Sequence, residues 1–396
     1  MLSTILAIAQ NRTIQQIQVD VVYLASDLLQ GRETGKAGED MAADYIATRF
    51  EEAGLKPVAK LKGWYQPFDF SYNENPHSTE NGEDRSGKNV LGFIDNGAAT
   101  TVIIGAHYDH LGMGMPMASL HTGDPAIHNG ADDNASGVSA MLYIAHKLSE
   151  AALTNNNYLL MGFSGEELGL YGSKYFTNNP AIDLKTVNYM INMDMVGRLN
   201  EERTLAVYGV GTSPSWKELL DKKNKDNFKI KTTESGIGPS DHTSFYLKDI
   251  PVLHFFTGQH KDYHKPSDDS ELINFQGIKD IADFIYELIE GLDANEKLTF
   301  TKTKDEQQQG ASFKVTLGVM PDYVYDGEGM RIDAVMDDRP AKIGGIEGGD
   351  VIIQIGDLEV KNIYDYMEGL SQYKKGESTT VVVKRGKKKL KKKVTF

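Results

Sequence analysis

Residues 101–110 read TVIIGAHYDH: a β-branched run closed by glycine, leading straight into two histidines, a tyrosine and an aspartate. A run this short and this rich in β-branched residues favours a buried strand. Similar runs recur at Tyr158–Phe163 (YLLMGF), Val187–Met193 (VNYMINM) and Pro251–Phe256 (PVLHFF). Helical spacing fills the intervals at 38–53, 136–149, 170–176, 215–221 and 275–292. Alternation of strand and helix argues an α/β domain, with a mixed, mostly parallel sheet and helices on both faces. The stretch from Lys62 to Asn89 is polar and turn-rich and reads as surface loop.

The chain has 396 residues, 40% of them apolar and 25% charged, which is ordinary globular usage and excludes a collagen-like or disordered chain. No stretch reaches the ~18 uninterrupted apolar residues of a membrane span. With no cysteine at all, disulfides, thiolate nucleophiles and cysteine-ligated metals are excluded, so any metal rests on His, Asp and Glu. The formal charge is −14, yet the run KRGKKKLKKK from Lys384 to Lys393 is purely basic, so the rest of the chain is more acidic still. Such a body repels nucleic acid, and no nucleic-acid partner is expected. The basic run reads as a lysine-guarded edge strand, with contact to an anionic surface as the alternative.

The residues just past each strand carry the chemistry, because open α/β sheets bind ligands beyond the carboxyl ends of their strands. TVIIG delivers His107 and Asp109, YLLMGF delivers Glu166 and Glu167, VNYMINM delivers Asp194, and PVLHFF leads to His264. Asp132 and Asp133 precede the helix that starts at Ser136. Imidazoles and carboxylates without thiolate suit zinc, or manganese or cobalt in the same environment. A carboxylate between two ions can bridge them. In His107-Tyr108-Asp109 the acid can accept the second ring N–H and fix the ligand's tautomer. Adjacent Glu166 and Glu167 can divide the work between metal ligation and proton transfer.

GAHYDHLG, NGADDNASG, SGEELGLYGS, NMDMVGR and YHKPSD, in that order, resemble the motifs of the co-catalytic dizinc exopeptidases related to bacterial leucyl aminopeptidase, over roughly residues 20–292. That family also holds glutamate carboxypeptidase-like enzymes and glutaminyl cyclases. The resemblance implies two zinc ions per chain. His107 and Asp194 hold one, Glu167 and His264 the other, and Asp133 bridges. It makes Glu166 the general base and Asp109 the partner of His107, and it places Asp241 and His242 near the substrate pocket. The implied activity is an aminopeptidase acting on peptides. The alternatives are a carboxypeptidase, with Arg198 as the nearest cation for a substrate carboxylate, a glutaminyl cyclase, or a catalytically dead peptide-binding adaptor. The remaining histidines (77, 110, 121, 128, 146, 254 and 260) read as structural or surface residues.

After a polar linker at 293–312, short strands separated by glycine turns indicate a small β-rich domain. LGVMPDY followed by RIDAVMDDRPAKIGGIEGGDVIIQIGDLEV resembles a PDZ domain of the bacterial, protease-associated kind, spanning 313–396. That likeness implies capture of a peptide carboxyl end in the loop Thr316-Leu317-Gly318-Val319. At the other end, LSTILAIAQ resembles the end of a signal peptide with an A-x-A site, within a lead-in of residues 1–18. A short first helix is the other reading. Export gives a periplasmic or secreted protein; otherwise the chain is cytoplasmic.

Overall fold

The computed structural model describes residues 14–72, 82–115, 118–225, 227–303, 315–321, 325, 327–335 and 339–396. The expected signal-peptide end falls largely on residues 1–13, outside the described residues, as do His77 and the second half of the expected linker. The chain forms two compact units. One takes the residues up to Thr303 except Gly258–Lys261, and the other takes those four with Lys304–Phe396.

The first unit opens with a helix over 14–24 (α1), then α2 (Ala37–Glu52), β1 (Tyr65–Tyr72), β2 (Glu83–Ile94) and β3 (Thr101–His107). Next come α3 (Gly137–Glu150), β4 (Asn157–Phe163), α4 (Tyr171–Asn178), β5 (Val187–Met193) and β6 (Thr204–Tyr208). It closes with α5 (Ser215–Lys223), β7 (Lys229–Thr233), α6 (His242–Tyr246), β8 (Val252–Phe256) and α7 (Phe275–Asp293). The eight strands lie in the order β1-β2-β4-β3-β5-β8-β6-β7. β4, β3, β5 and β8 run parallel to one another, and so do β6 and β7; the other pairings are antiparallel.

The central strands are buried on both faces, which is why their sequences are continuous apolar runs. On β3, Val102, Ile104 and Ala106 join the layer containing α2, α3 and α7, while Ile103 points to the layer containing Phe176 of α4 and Phe245 of α6. Each large apolar side chain buried this way contributes ~1.5–3 kcal/mol relative to exposure. Helix α7 begins where the Asn274 side chain accepts the Gly277 N–H at 2.8 Å. It then buries Ile278, Ile281, Ile285, Leu288 and Leu292 at helical spacing.

One expectation is corrected here. Much of 62–89 is not loop, since β1 and β2 form an antiparallel ladder from Tyr65↔Val90 to Tyr72↔Glu83. β1 buries Gln66, Phe68 and Tyr72 and exposes Pro67, Asp69 and Ser71. Half its residues are therefore free to be polar, and composition alone mistook it for loop.

The second unit contains β9 (Val319–Pro321), β10 (Met330–Val335), α8 (Pro340–Ile343), β11 (Val351–Ile355), β12 (Leu358–Glu359), α9 (Ile363–Ser371), β13 (Ser378–Arg385) and β14 (Lys388–Thr395). The sheet order is β14-β13-β11-β10-β9, with β12 paired to β11. Leu317, Ile332, Ile352, Ile355, Val381 and Val383 form its core. The basic run spans the end of β13, the turn after it and most of the edge strand β14, where Lys388, Lys389, Lys391 and Lys393 are exposed.

Candidate metal centre

β4, β3, β5 and β8 are neighbours and parallel, so their carboxyl ends open on one side of the sheet. The chain leaves β3 toward β4 on one flank and reaches β5 on the other, which places a crevice at the end of β3. His107 is the last residue of β3, and Asp194 follows β5 directly. Glu166 and Glu167 lie just past β4, and His264 lies on the loop after β8. Asp133 arrives on the turn that enters α3.

That turn is held by polar staples. Asp268 Oδ2 accepts the N–H groups of Asp132 and Asp133 at 2.9 and 3.1 Å. The Asn134 amide donates to the carbonyls of His107 and Met193, and the Asp132 carboxylate accepts the Gly197 N–H. The buried Arg32 guanidinium donates to the carbonyls of Leu24, Tyr108, Asn129 and Gly130. Arg32 and Asp268 escaped the sequence reading. Asp268 ends the quoted YHKPSD motif, so a signal existed, whereas nothing local marked Arg32.

The donor atoms fall into two sets that share Asp133. His107 Nε2 lies 3.3 Å from Asp133 Oδ1 and 3.3 Å from Asp194 Oδ1. His264 Nε2 lies 3.2 Å from Asp133 Oδ2 and 3.2 Å from Glu167 Oε2. Ligands ~2.0–2.1 Å from a tetrahedral ion stand about 3.3 Å apart, so both sets have the spacing of a zinc shell. The tautomers fit as well. His107 Nδ1 faces the Asp109 carbonyl at 3.3 Å and His264 Nδ1 faces the Ala118 carbonyl at 2.8 Å. A carbonyl only accepts, so each Nδ1 carries the hydrogen and each Nε2 turns a lone pair toward carboxylate oxygens. Lone pairs facing each other at this distance call for a cation or a proton between them.

Asp109 plays a broader part than a partner for His107. Its carboxylate is 3.7 Å from His107 Nδ1. It accepts the N–H groups of Glu166 and Glu167 at 3.1 and 3.3 Å and the Thr34 hydroxyl at 3.0 Å. The Glu-Glu turn is thereby fixed to the end of β3. Burial alone would raise Asp133, but the imidazoles of His107, His110 and His264 hold it well below the usual carboxylate range. Glu167 is likewise held down at about 2 against its burial, by His264 first. Glu166 is driven the other way: loss of solvent raises it well above the ordinary value, and Asp194, Glu167 and Asp241 add to this against His107. Two adjacent acids pushed apart suit an ionised ligand and a proton acceptor.

Asp241 and His242 open α6, both buried. Burial pushes Asp241 up to about 7, against the pull of His107 and the Ser173 hydroxyl. The His242 ring stacks on His254 at 4.4 Å. Of the two readings given to His110, structural or surface, burial leaves the structural one: it is fully buried, with Nδ1 2.8 Å from Glu167 Oε1. The parallel register of β3 and β4 pairs His107 with Phe163, so residues three or four beyond each strand end meet.

Glu39 on α2 supports the same turn from below, accepting the Gly35 N–H at 2.7 Å and the Ser164 hydroxyl. Burial raises it to about 8. A carboxyl raised on folding contributes stability that is full below the ordinary Glu value and is lost as pH rises through about 8. Glu39→Gln mimics the protonated form, so its melting temperature relative to the native chain is expected to rise between pH 5 and 9. The gain is on the order of a few kcal/mol. Parallel melting curves with pH that superimpose for the two chains would refute this.

Comparison with known proteins gives two family matches: residues 89–289 match peptidase family M28 and residues 299–396 match a PDZ domain. Leupeptin-inactivating enzyme 1 of Streptomyces exfoliatus is 28% identical over 239 residues, covering 59% of this chain and 46% of that one. The chain spans about half the length of the curated relatives it matches. Among solved structures, a zinc aminopeptidase from Bacillus subtilis superposes with a TM-score of 0.56 at 16% identity, covering 74% of this chain and 96% of the other. The glutaminyl cyclase of Porphyromonas gingivalis gives 0.56 at 17% identity, covering 70% and 96%. At such identities the likeness is one of fold.

Proposed function

Because the chain belongs to peptidase family M28, we propose that it is a metal-dependent aminopeptidase that removes residues from the amino ends of peptides. Two zinc ions, with manganese or cobalt as substitutes, would be held by His107, Asp133 and Asp194 on one side and by Asp133, Glu167 and His264 on the other. When bound, such a pair supplies Lewis acidity toward water and a carbonyl oxygen. The observation that carries the reading is the division of Asp133's two oxygens between two donor sets of tetrahedral spacing. Glu166 takes the proton of the attacking water and returns it to the leaving amine. Asp109 holds Glu166 in place through the backbone N–H.

Two donor sets favour hydrolysis over the one-zinc chemistry of a cyclase. Arg198 is engaged by Asp262 at 3.3 Å and Asp268 at 3.4 Å, which argues against its use as a carboxypeptidase's cation. The PDZ unit is read as a peptide-binding module that grips the carboxyl end of a substrate, raising its local concentration through the linker.

The test is a panel of aminoacyl-arylamides beside peptides that are N-blocked, C-amidated or free at both ends. Cleavage of the arylamides and the free peptides, with none of the N-blocked ones, is expected. A lower KM for peptides with free carboxyl ends than for their amides is expected if the PDZ unit captures substrate. Cleavage of N-blocked peptides from the carboxyl end would sink the aminopeptidase reading.

A further inference from the structure

His110 Nδ1 lies within reach of a metal shared with Asp133 and Glu167, but its two distances set it apart from the other donors. Its Nδ1 is 2.8 Å from Glu167 Oε1, shorter than the spacing between two ligands of one ion, and 3.8 Å from Asp133 Oδ2, which is longer. The contact has the length of a charge-assisted N–H···O bond. Glu167 can only accept, so His110 Nδ1 donates.

The ring is closely packed where it makes this bond. Gly130 lies against it so closely, at φ +56, that a Cβ there would sit 2.6 Å from the imidazole. His264 meets it edge-on, with centroids 5.9 Å apart, and the His110 backbone N–H donates to the Arg32 carbonyl at 3.1 Å. Glu167 is thus fixed at its backbone by Asp109 and at Oε1 by His110, while Oε2 alone faces His264 Nε2.

We propose that His110 is a positioning residue for Glu167: by occupying Oε1 it makes Glu167 a one-oxygen ligand and sets the affinity of the second metal position. This rests on the metallopeptidase reading above. It differs from that reading in predicting an effect on one ion and not the other.

The experiment is zinc titration of the metal-stripped full-length chain, read by calorimetry and by competition with a chromophoric chelator. His110→Ala removes the donor. His110→Met removes it at similar volume, should the alanine variant fail to fold. His110→Asn keeps an N–H near the place of Nδ1. The native chain is expected to bind two ions. The donorless variants are expected to keep one affinity and weaken the other about 10–100-fold, the usual effect of losing such a partner, with His110→Asn within a few-fold of native. Equal affinities in all chains would overturn the proposal. So would loss of the second ion in His110→Asn as complete as in His110→Ala, since His110 would then be a ligand. A native chain that binds no zinc overturns the metal reading itself, and that baseline separates the two failures.

Discussion

Glu166→Gln is expected to lower kcat by ~10²–10⁴-fold, the usual effect of removing a positioned general base, while both ions stay bound. The amide has the size of the acid and the same backbone anchor, the N–H held by Asp109 at 3.1 Å. It lacks only the capacity to take a proton. In the native chain that capacity is prepared by surroundings that set two neighbouring acids apart: Glu166 raised by loss of solvent and by Asp194, Glu167 and Asp241, and Glu167 held down at about 2 despite its burial, chiefly by His264. Steady-state kinetics on a leucyl-arylamide, with metal content measured on the same preparation, check the expectation. Near-native turnover with full metal would move the role to another carboxylate. Asp241 is then first in line, being buried and raised to about 7.

Whether a residue's role is legible in the sequence depends on where its partners lie. The central strands were legible because burial on both faces makes β3, β4, β5 and β8 continuous apolar runs. Their ends could then be inspected one by one, and His107, Glu166, Glu167, Asp194 and His264 emerged by position. The β1–β2 ladder was illegible for the converse reason: one face of β1 meets solvent and takes polar residues, so its composition is that of a loop. His110 has the same motif address as His107, yet its partner Glu167 is 57 residues away, and only the pairing of β3 with β4 brings them together. Arg32 answers to four backbone carbonyls, groups that every residue carries and that leave no trace in sequence.

Asp133→Ala is expected to remove both ions together, because each donor set contains one of its oxygens: Oδ1 at 3.3 Å from His107 Nε2 and Oδ2 at 3.2 Å from His264 Nε2. Without that carboxylate, the buried site loses the anion that His107, His110 and His264 share, leaving Asp194 and Glu167 beside them. Zinc affinity at both positions is expected to fall by at least the ~10–100-fold seen for lesser, outer partners, and turnover to fall to background. Asp194→Ala is the informative contrast, since among the described residues Asp194 belongs to the donor set of His107 and not to that of Glu167; one ion should be lost and the other kept. Asp133→Asn divides the question further. Its amide presents one oxygen and one N–H₂, which can serve one donor set and repels an ion at the other, so one ion per chain is expected. Metal analysis after dialysis against a weak chelator reads all three variants. If Asp133→Ala loses a single ion and keeps the other at native affinity, Asp133 belongs to one site only and the shared-carboxylate reading fails.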